Sequence, residues 1–224
     1  MTRRSPNFDE RPLTAEIDML VIHYTGMESA GAALARLCDP AAKVSAHYLI
    51  DEDGAVLALV DEGLRAWHAG QAYWRGRRGV NARSLGVELV NPGHEFGYRP
   101  FPEAQMAALE KLALDMLSRH PIQARNVVGH ADVAPSRKQD PGELFDWRRL
   151  ARAGLGLWPE GPEASQNGGQ DGDFGALLAD YGYDVSNPEM AIKAFQRHFR
   201  PGRVDGAADA ETLGLLTALI NGLP

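Results

Sequence analysis

The 224-residue chain holds a single cysteine, Cys38. One thiol cannot close an intramolecular disulfide or build a multi-cysteine zinc site. Any metal therefore falls to histidine and carboxylate ligands. Long apolar runs are missing too, and nothing approaches the roughly 20 residues of a membrane-spanning helix. Arg3-Arg4 is not followed by the apolar stretch of an export signal. The next apolar run, Ile17–Ile22, is short and comes after Asp9, Glu10 and Glu16. It reads as a core strand, and the expected location is cytoplasmic. Positive charge is scarce: 23 Lys and Arg stand against 30 Asp and Glu, a formal net charge of -7. No basic run is long enough to follow a phosphate backbone, so nucleic acid is excluded as an expected partner. There is no GxSxG elbow, P-loop, GxGxxG after a strand, or HExxH, which removes the commonest serine-hydrolase, nucleotide and zincin readings.

What is present is globular: 44% hydrophobic and 24% charged residues. The stretch Trp158 to Asp173 is rich in Pro, Gly and polar residues and has no apolar period, so it reads as a linker. The expected division is a domain over 1–158, a linker over 159–172 and a small domain over 173–224. In the first, Met19–Ile22 predicts a buried strand and Gly31–Cys38 a short helix stopped by Asp39-Pro40. Tyr48–Ile50 and Val56–Val60 predict a hairpin about Asp51-Glu52-Asp53-Gly54, with Leu85–Val90 and Asn126–Gly129 as further strands. Apolar residues Met106, Leu109, Ala113, Met116 and Leu117 share one face of a helix from Pro102 to Arg119, and Asp146–Ala153 closes the domain as a helix. The fold class is α/β: a mixed sheet flanked by helices. After the linker, three apolar stripes predict three helices, the second capped by Asn187 and entered through Pro188.

Among seven histidines, two sit at the exits of predicted strands, His23 and His130. Neighbouring strand ends could bring them together. Asp140, ten residues after His130, is a third candidate ligand, and two His with one carboxylate would leave a fourth zinc position open for water. On spacing alone His23 also fits an ordinary packed residue, and His130 with Asp140 fits a surface loop. Glu88 lies inside the apolar run Leu85–Val90. A carboxylate there is costly unless paired or used, so it is either a general base or a strand-face residue paired with an arginine or turned to water. Lys138 could stabilise an oxyanion, or it could be a solvated loop lysine.

Five segments then resemble a known family. They are Val21-Ile22-His23-Tyr24-Thr25, Ser45–Ile50, Ala66-Trp67-His68-Ala69-Gly70, Ser84–Glu88 and Gly129–Gly142. In this order they are similar to the zinc N-acetylmuramoyl-L-alanine amidases related to phage lysozyme-amidases and peptidoglycan recognition proteins. The resemblance implies a zinc ion on His23, His130 and Asp140, Glu88 as catalytic base and Lys138 as oxyanion stabiliser. It makes Trp67, His68, His47 and Arg77 the candidate substrate contacts, with a structural role the alternative for His47. It also implies hydrolysis of the bond between N-acetylmuramic acid and L-alanine in peptidoglycan fragments or muropeptides. Residues Ala191–Phe199, Val204-Asp205-Gly206 and Ala210–Leu213 resemble a three-helix peptidoglycan-binding module. Two rivals stay open: a non-catalytic peptidoglycan-binding protein, and a zinc peptidase acting within the stem peptide.

Overall fold

The computed structural model describes residues 4–159 and 174–223; most of the expected linker lies outside them. Among the described residues there are nine strands: β1 (Phe8–Glu10), β2 (Met19–Tyr24), β3 (Tyr48–Ile50), β4 (Val56–Ala58), β5 (Leu64–Ala66), β6 (Tyr73–Trp74), β7 (Arg77–Arg78), β8 (Ser84–Leu89) and β9 (Val127–Gly129). Five of them form the central sheet in the order β4-β3-β8-β2-β9. The β2, β8, β9 and β3 strands run parallel, and β4 is the antiparallel edge of the expected hairpin. Gly54 takes φ 86° in that hairpin, a backbone region glycine enters without penalty. The short pairs β1–β5 and β6–β7 were not legible in the sequence, being only two or three residues long.

The helices are α1 (Ala30–Leu37), α2 (Gly93–Phe96), α3 (Glu103–Arg119), α4 (His130–Val133), α5 (Trp147–Arg152), α6 (Phe174–Tyr181), α7 (Pro188–Phe199) and α8 (Ala210–Asn221). Side chains of Ser29, Asp146, Asn187 and Asp209 cap α1, α5, α7 and α8 by accepting backbone N–H bonds. Pro102 stands one place outside α3, as its cap, rather than in its first turn. None of the described helices is long and apolar enough to cross a membrane.

Alternation along the parallel strands decides which face carries chemistry. Leu20 and Ile22 of β2 and Leu85, Val87 and Leu89 of β8 bury against Met106, Leu109, Ala113 and Met116 of α3. The intervening residues Met19, Val21 and His23, with Ser84, Gly86 and Glu88, therefore share the opposite face. On that side Met19, Val21 and Val128 join Trp74, Leu178, Tyr181, Phe195, Phe199 and Leu216 in one apolar cluster. The helices after the linker thus share a core with the sheet.

Glu62, in the turn before β5, ties this frame to the end of α3. Its carboxylate accepts bonds from the Tyr48 hydroxyl (2.8 Å), Arg119 (2.8 Å) and His120 (2.7 Å). Burial alone would push Glu62 upward; the hydrogen bonds from Arg119, His120 and Tyr48 overcome it and bring its pKa down to about 2. A depressed carboxyl adds stability above its unfolded pKa and loses it as pH falls toward the folded one. Glu62→Gln is therefore expected to cost about 1–2 kcal/mol at pH 7, after allowance for solvent screening, and less between pH 4 and 2. Urea unfolding across that range checks it.

Candidate active site

The site lies where the parallel strands end, the place where open α/β sheets bind ligands. His23 is inside β2, not beyond it, one residue from the strand's end and in register with Glu88 of β8. His130 is the first residue of α4, immediately after β9. Because β2 lies between β8 and β9, all three side chains meet at one edge. The loop returns Asp140 to the same point through a 2.8 Å bond from the Ala131 N–H to the Asp140 carbonyl.

The donor atoms converge. His23 Nδ1 is 2.9 Å from His130 Nδ1 and 3.0 Å from Asp140 Oδ2, and His130 Nδ1 is 3.1 Å from the same oxygen. All three residues are buried, and among the described residues they form a group able to hold a metal ion.

The far ring nitrogens show which near ones carry lone pairs. His130 Nε2 lies 3.1 Å from the Ala69 carbonyl. A carbonyl only accepts, so in a neutral ring the proton is on Nε2 and Nδ1 is bare. For His23 the same answer comes through a chain. The Ser84 hydroxyl donates to the Val80 carbonyl at 2.7 Å, so it accepts from His68 Nε2 at 3.1 Å. His68 Nδ1 is then an acceptor for His23 Nε2–H at 3.0 Å, which leaves His23 Nδ1 bare. Burial lowers the His23 pKa to about 4, with the His130 ring adding to it, so the ring is neutral near pH 7. Two imidazole lone pairs and one carboxylate oxygen facing a common point, with outer partners holding each ring, are a fitting donor set for a divalent metal.

Gly86 makes the chain possible. A Cβ at this position would lie 2.4 Å from His68 Cγ. A glycine inside a strand signals close approach of another group, and that signal was available in the sequence. Gly86→Ala is expected to displace the His68 ring, destabilise the fold by about 1–3 kcal/mol and weaken metal binding. Thermal unfolding with and without metal checks both.

Glu88 is partly buried as a residue, and its Oε2 is buried without a hydrogen-bond partner. Burial, and then the charge of Asp140, raises its pKa well above the ordinary carboxylate value, against the pull of Lys138. Among the described residues no cation bonds Glu88, and the residue lines a cavity, which suits both a general base and a carboxylate turned to water. Asp140 goes the other way: burial pushes it up, but the two imidazoles against it hold it below the usual range. Two carboxylates that line the same cavity are thus set to opposite tendencies.

A cavity of about 330 Å³ opens over these groups, lined by Tyr24, Trp67, His68, Glu88, Lys138 and Asp140 among others. Lys138 is exposed there, and its N–H turns back to the Ala134 carbonyl. Trp67 forms part of the wall, with its indole N–H on Asp9 at 2.9 Å. Two expected substrate contacts lie outside the lining of this cavity. His47 is fully buried, accepts the Gly86 N–H at 2.9 Å and does not line the cavity, so it is framework. Arg77 stands exposed on β7, 3.9 Å from Asp18, and is not in the cavity wall either. His68 lines the cavity, but both its nitrogens are committed to His23 and Ser84. Tyr24, in the wall with its hydroxyl 2.8 Å from His94 Nδ1, was missed because nothing in its spacing distinguishes it from a packed tyrosine.

Residues 13–143 match the N-acetylmuramoyl-L-alanine amidase family. The chain belongs to this family. The matched span holds every residue of the convergent group. N-acetylmuramoyl-L-alanine amidase AmiD of Escherichia coli (strain K12) is 41% identical over 91% of this chain and 82% of its own length. The structure of E. coli AmiD in complex with anhydro-N-acetylmuramic acid-L-Ala-D-gamma-Glu-L-Lys matches with TM-score 0.82 at 37% identity, covering 96% of this chain and 97% of that one. AmpDh3 of Pseudomonas aeruginosa matches over 100% of both chains, with TM-score 0.84 and 32% identity. The 1,6-anhydro-N-acetylmuramyl-L-alanine amidase AmpD of Haemophilus influenzae is 35% identical but covers only 65% of this chain and 87% of its own length. The amidase thus shares its mixed sheet and flanking helices with enzymes that cleave the bond between N-acetylmuramic acid and L-alanine.

Proposed function

We propose that the amidase is zinc-dependent, that His23, His130 and Asp140 hold the zinc, and that its substrates include soluble anhydro-muropeptides. The observation that carries this reading is the meeting of two bare imidazole nitrogens and a carboxylate oxygen beside an unpartnered oxygen of Glu88. Three protein ligands rather than four are the pattern of a catalytic rather than a structural zinc site. When bound, zinc supplies Lewis acidity and lowers the pKa of water.

The chain's own groups do the rest. Glu88, with its raised pKa, takes a proton from the attacking water and passes it to the L-alanine nitrogen as the C–N bond breaks. The products are the lactyl carboxylate of the sugar and a peptide with a free amino terminus. Lys138, exposed at the cavity wall, is placed to offset negative charge that develops on the carbonyl oxygen. Trp67 provides a flat apolar wall for sugar or peptide.

Helices α6–α8 are read as a unit that retains cell-wall polymer. Supporting this is a hollow of about 1120 Å³ beside α5, α7 and α8, lined by Arg148, Arg152, Trp158, Arg200 and Arg203 among others. Arg148 lies 4.7 Å over the Trp158 ring. Aromatic faces suit sugars and arginines suit stem-peptide carboxylates. Replacing Arg148 and Arg152 together by alanine is expected to lower retention on purified sacculi several-fold while turnover of a soluble muropeptide stays unchanged.

The deciding experiment incubates zinc-loaded protein with a defined anhydro-muropeptide and reads the products by mass spectrometry. Free sugar and a peptide beginning at L-alanine support the reading. Shortened peptides still attached to sugar would mean a peptidase. Binding without cleavage would mean a recognition protein.

A further inference from the structure

A second buried constellation, outside the cavity, closes on Asp132, two residues after His130. Asp132 is 2% exposed. Its Oδ2 accepts the Gly129 N–H at 2.7 Å and His198 Nδ1–H at 2.8 Å, and its Oδ1 accepts the Tyr183 hydroxyl at 2.6 Å. The first of these bonds holds the turn that begins with His130. The other two come from beyond the linker: Tyr183 follows α6, and His198 lies in α7.

The His198 ring makes a second connection. It stacks on Trp147 with centroids 3.8 Å apart and planes at 18°. Trp147 in turn lies against Gly129, where a Cβ would come within 3.3 Å of the indole and 2.7 Å of Pro141. So α7 reaches residue 129 twice, through the Asp132 carboxylate and through the Trp147 ring. Burial, reinforced by the Asp132 carboxylate, raises the Tyr183 pKa well above the ordinary phenol value, so its hydroxyl remains a donor at neutral pH.

We propose that His198 and Tyr183 are positioning residues of the active site, through which the helices beyond the linker hold Asp132 and so aim His130 Nδ1 at the metal point. This rests on the reading of His23, His130 and Asp140 as metal ligands. It goes beyond wall binding, because it makes those helices part of the catalytic unit. The physical reason is the cost of an underpartnered buried carboxylate. Without the two side-chain donors, Asp132 keeps only the Gly129 N–H and gains by turning toward water. That movement carries α4 with it. Metal ligands tolerate only about 0.5 Å of such drift.

The test uses the full chain and three variants. Tyr183→Phe removes one hydroxyl. His198→Phe keeps a ring between Trp147 and Phe199 but cannot donate; since His198 Nε2 is buried without a partner, nothing else polar is lost. His198→Asn restores a donor where Nδ1 stands. Zinc affinity is measured by chelator competition, well below each variant's unfolding midpoint, beside kinetics on a soluble muropeptide. The expected result is zinc binding weakened about tenfold in Tyr183→Phe and in His198→Phe, with kcat lowered, KM unchanged and recovery of both in His198→Asn. A lower Tm with unchanged zinc affinity and kcat would overturn the inference and leave both residues as ordinary packing. A wild-type chain that bound no zinc would sink the metal reading and this inference together, whereas normal wild-type binding with unaffected variants sinks this inference alone.

Discussion

Glu88→Gln is expected to lower kcat on a soluble muropeptide about a thousandfold, some 4 kcal/mol of transition-state stabilisation, with zinc still bound. The amide keeps the size of the side chain but cannot accept and return a proton. The same substitution is expected to make the metal-free protein more stable at pH 7, by about 1 kcal/mol. The sign follows from the direction of the Glu88 pKa. An acid whose folded pKa is raised above its unfolded value binds more protons when folded, so stability falls as pH rises through that interval. At neutral pH the buried, unpartnered Oε2 is a burden on folding. Loss of turnover together with a gain in Tm identifies a residue kept for chemistry. Wild-type turnover in Glu88→Gln removes it from the mechanism.

Asp140→Ala is expected to abolish both zinc binding and turnover. Asp140 is the anionic member of the donor set and faces both rings within 3.1 Å. Removing it leaves two imidazoles, which hold a divalent cation far more weakly than two imidazoles with a carboxylate. The effect can be read without an activity assay. A ligand that binds only the folded state raises its stability by about 2.7 kcal/mol when present at a hundred times its Kd. Wild-type protein should therefore show a zinc-dependent rise in Tm, and Asp140→Ala should show none at the same concentration. An equal rise in both would place the zinc elsewhere. Chelation should lower the wild-type Tm and leave the variant where it is.

The two substitutions probe residues of different legibility. Glu88 stood out in the sequence because a charge inside an apolar strand needs a reason. His130 and Asp140 were visible as a pair joined by a proline-stiffened loop. His23 was only one strand-end histidine among seven, and its place in the group depended on β2 lying between β8 and β9. Arg77 and His47 carried the same family likeness as Trp67, but exposure on an outlying hairpin and full burial respectively keep them out of the cavity.

By itself the sequence determined what is local. Apolar periods and capping residues marked the main strands and helices, and the ordered motifs carried the chemistry expected of the chain. The tertiary structure alone decided what depends on groups distant along the chain. The order of parallel strands brought His23 to His130, and the bare nitrogens followed from a hydrogen-bond chain that runs through His68 and Ser84. The contact of His198 and Tyr183 with Asp132 spans 66 and 51 residues. No period or spacing records such pairings, because burial and hydrogen bonding act on proximity in space, and proximity in space is set only once the whole chain has packed.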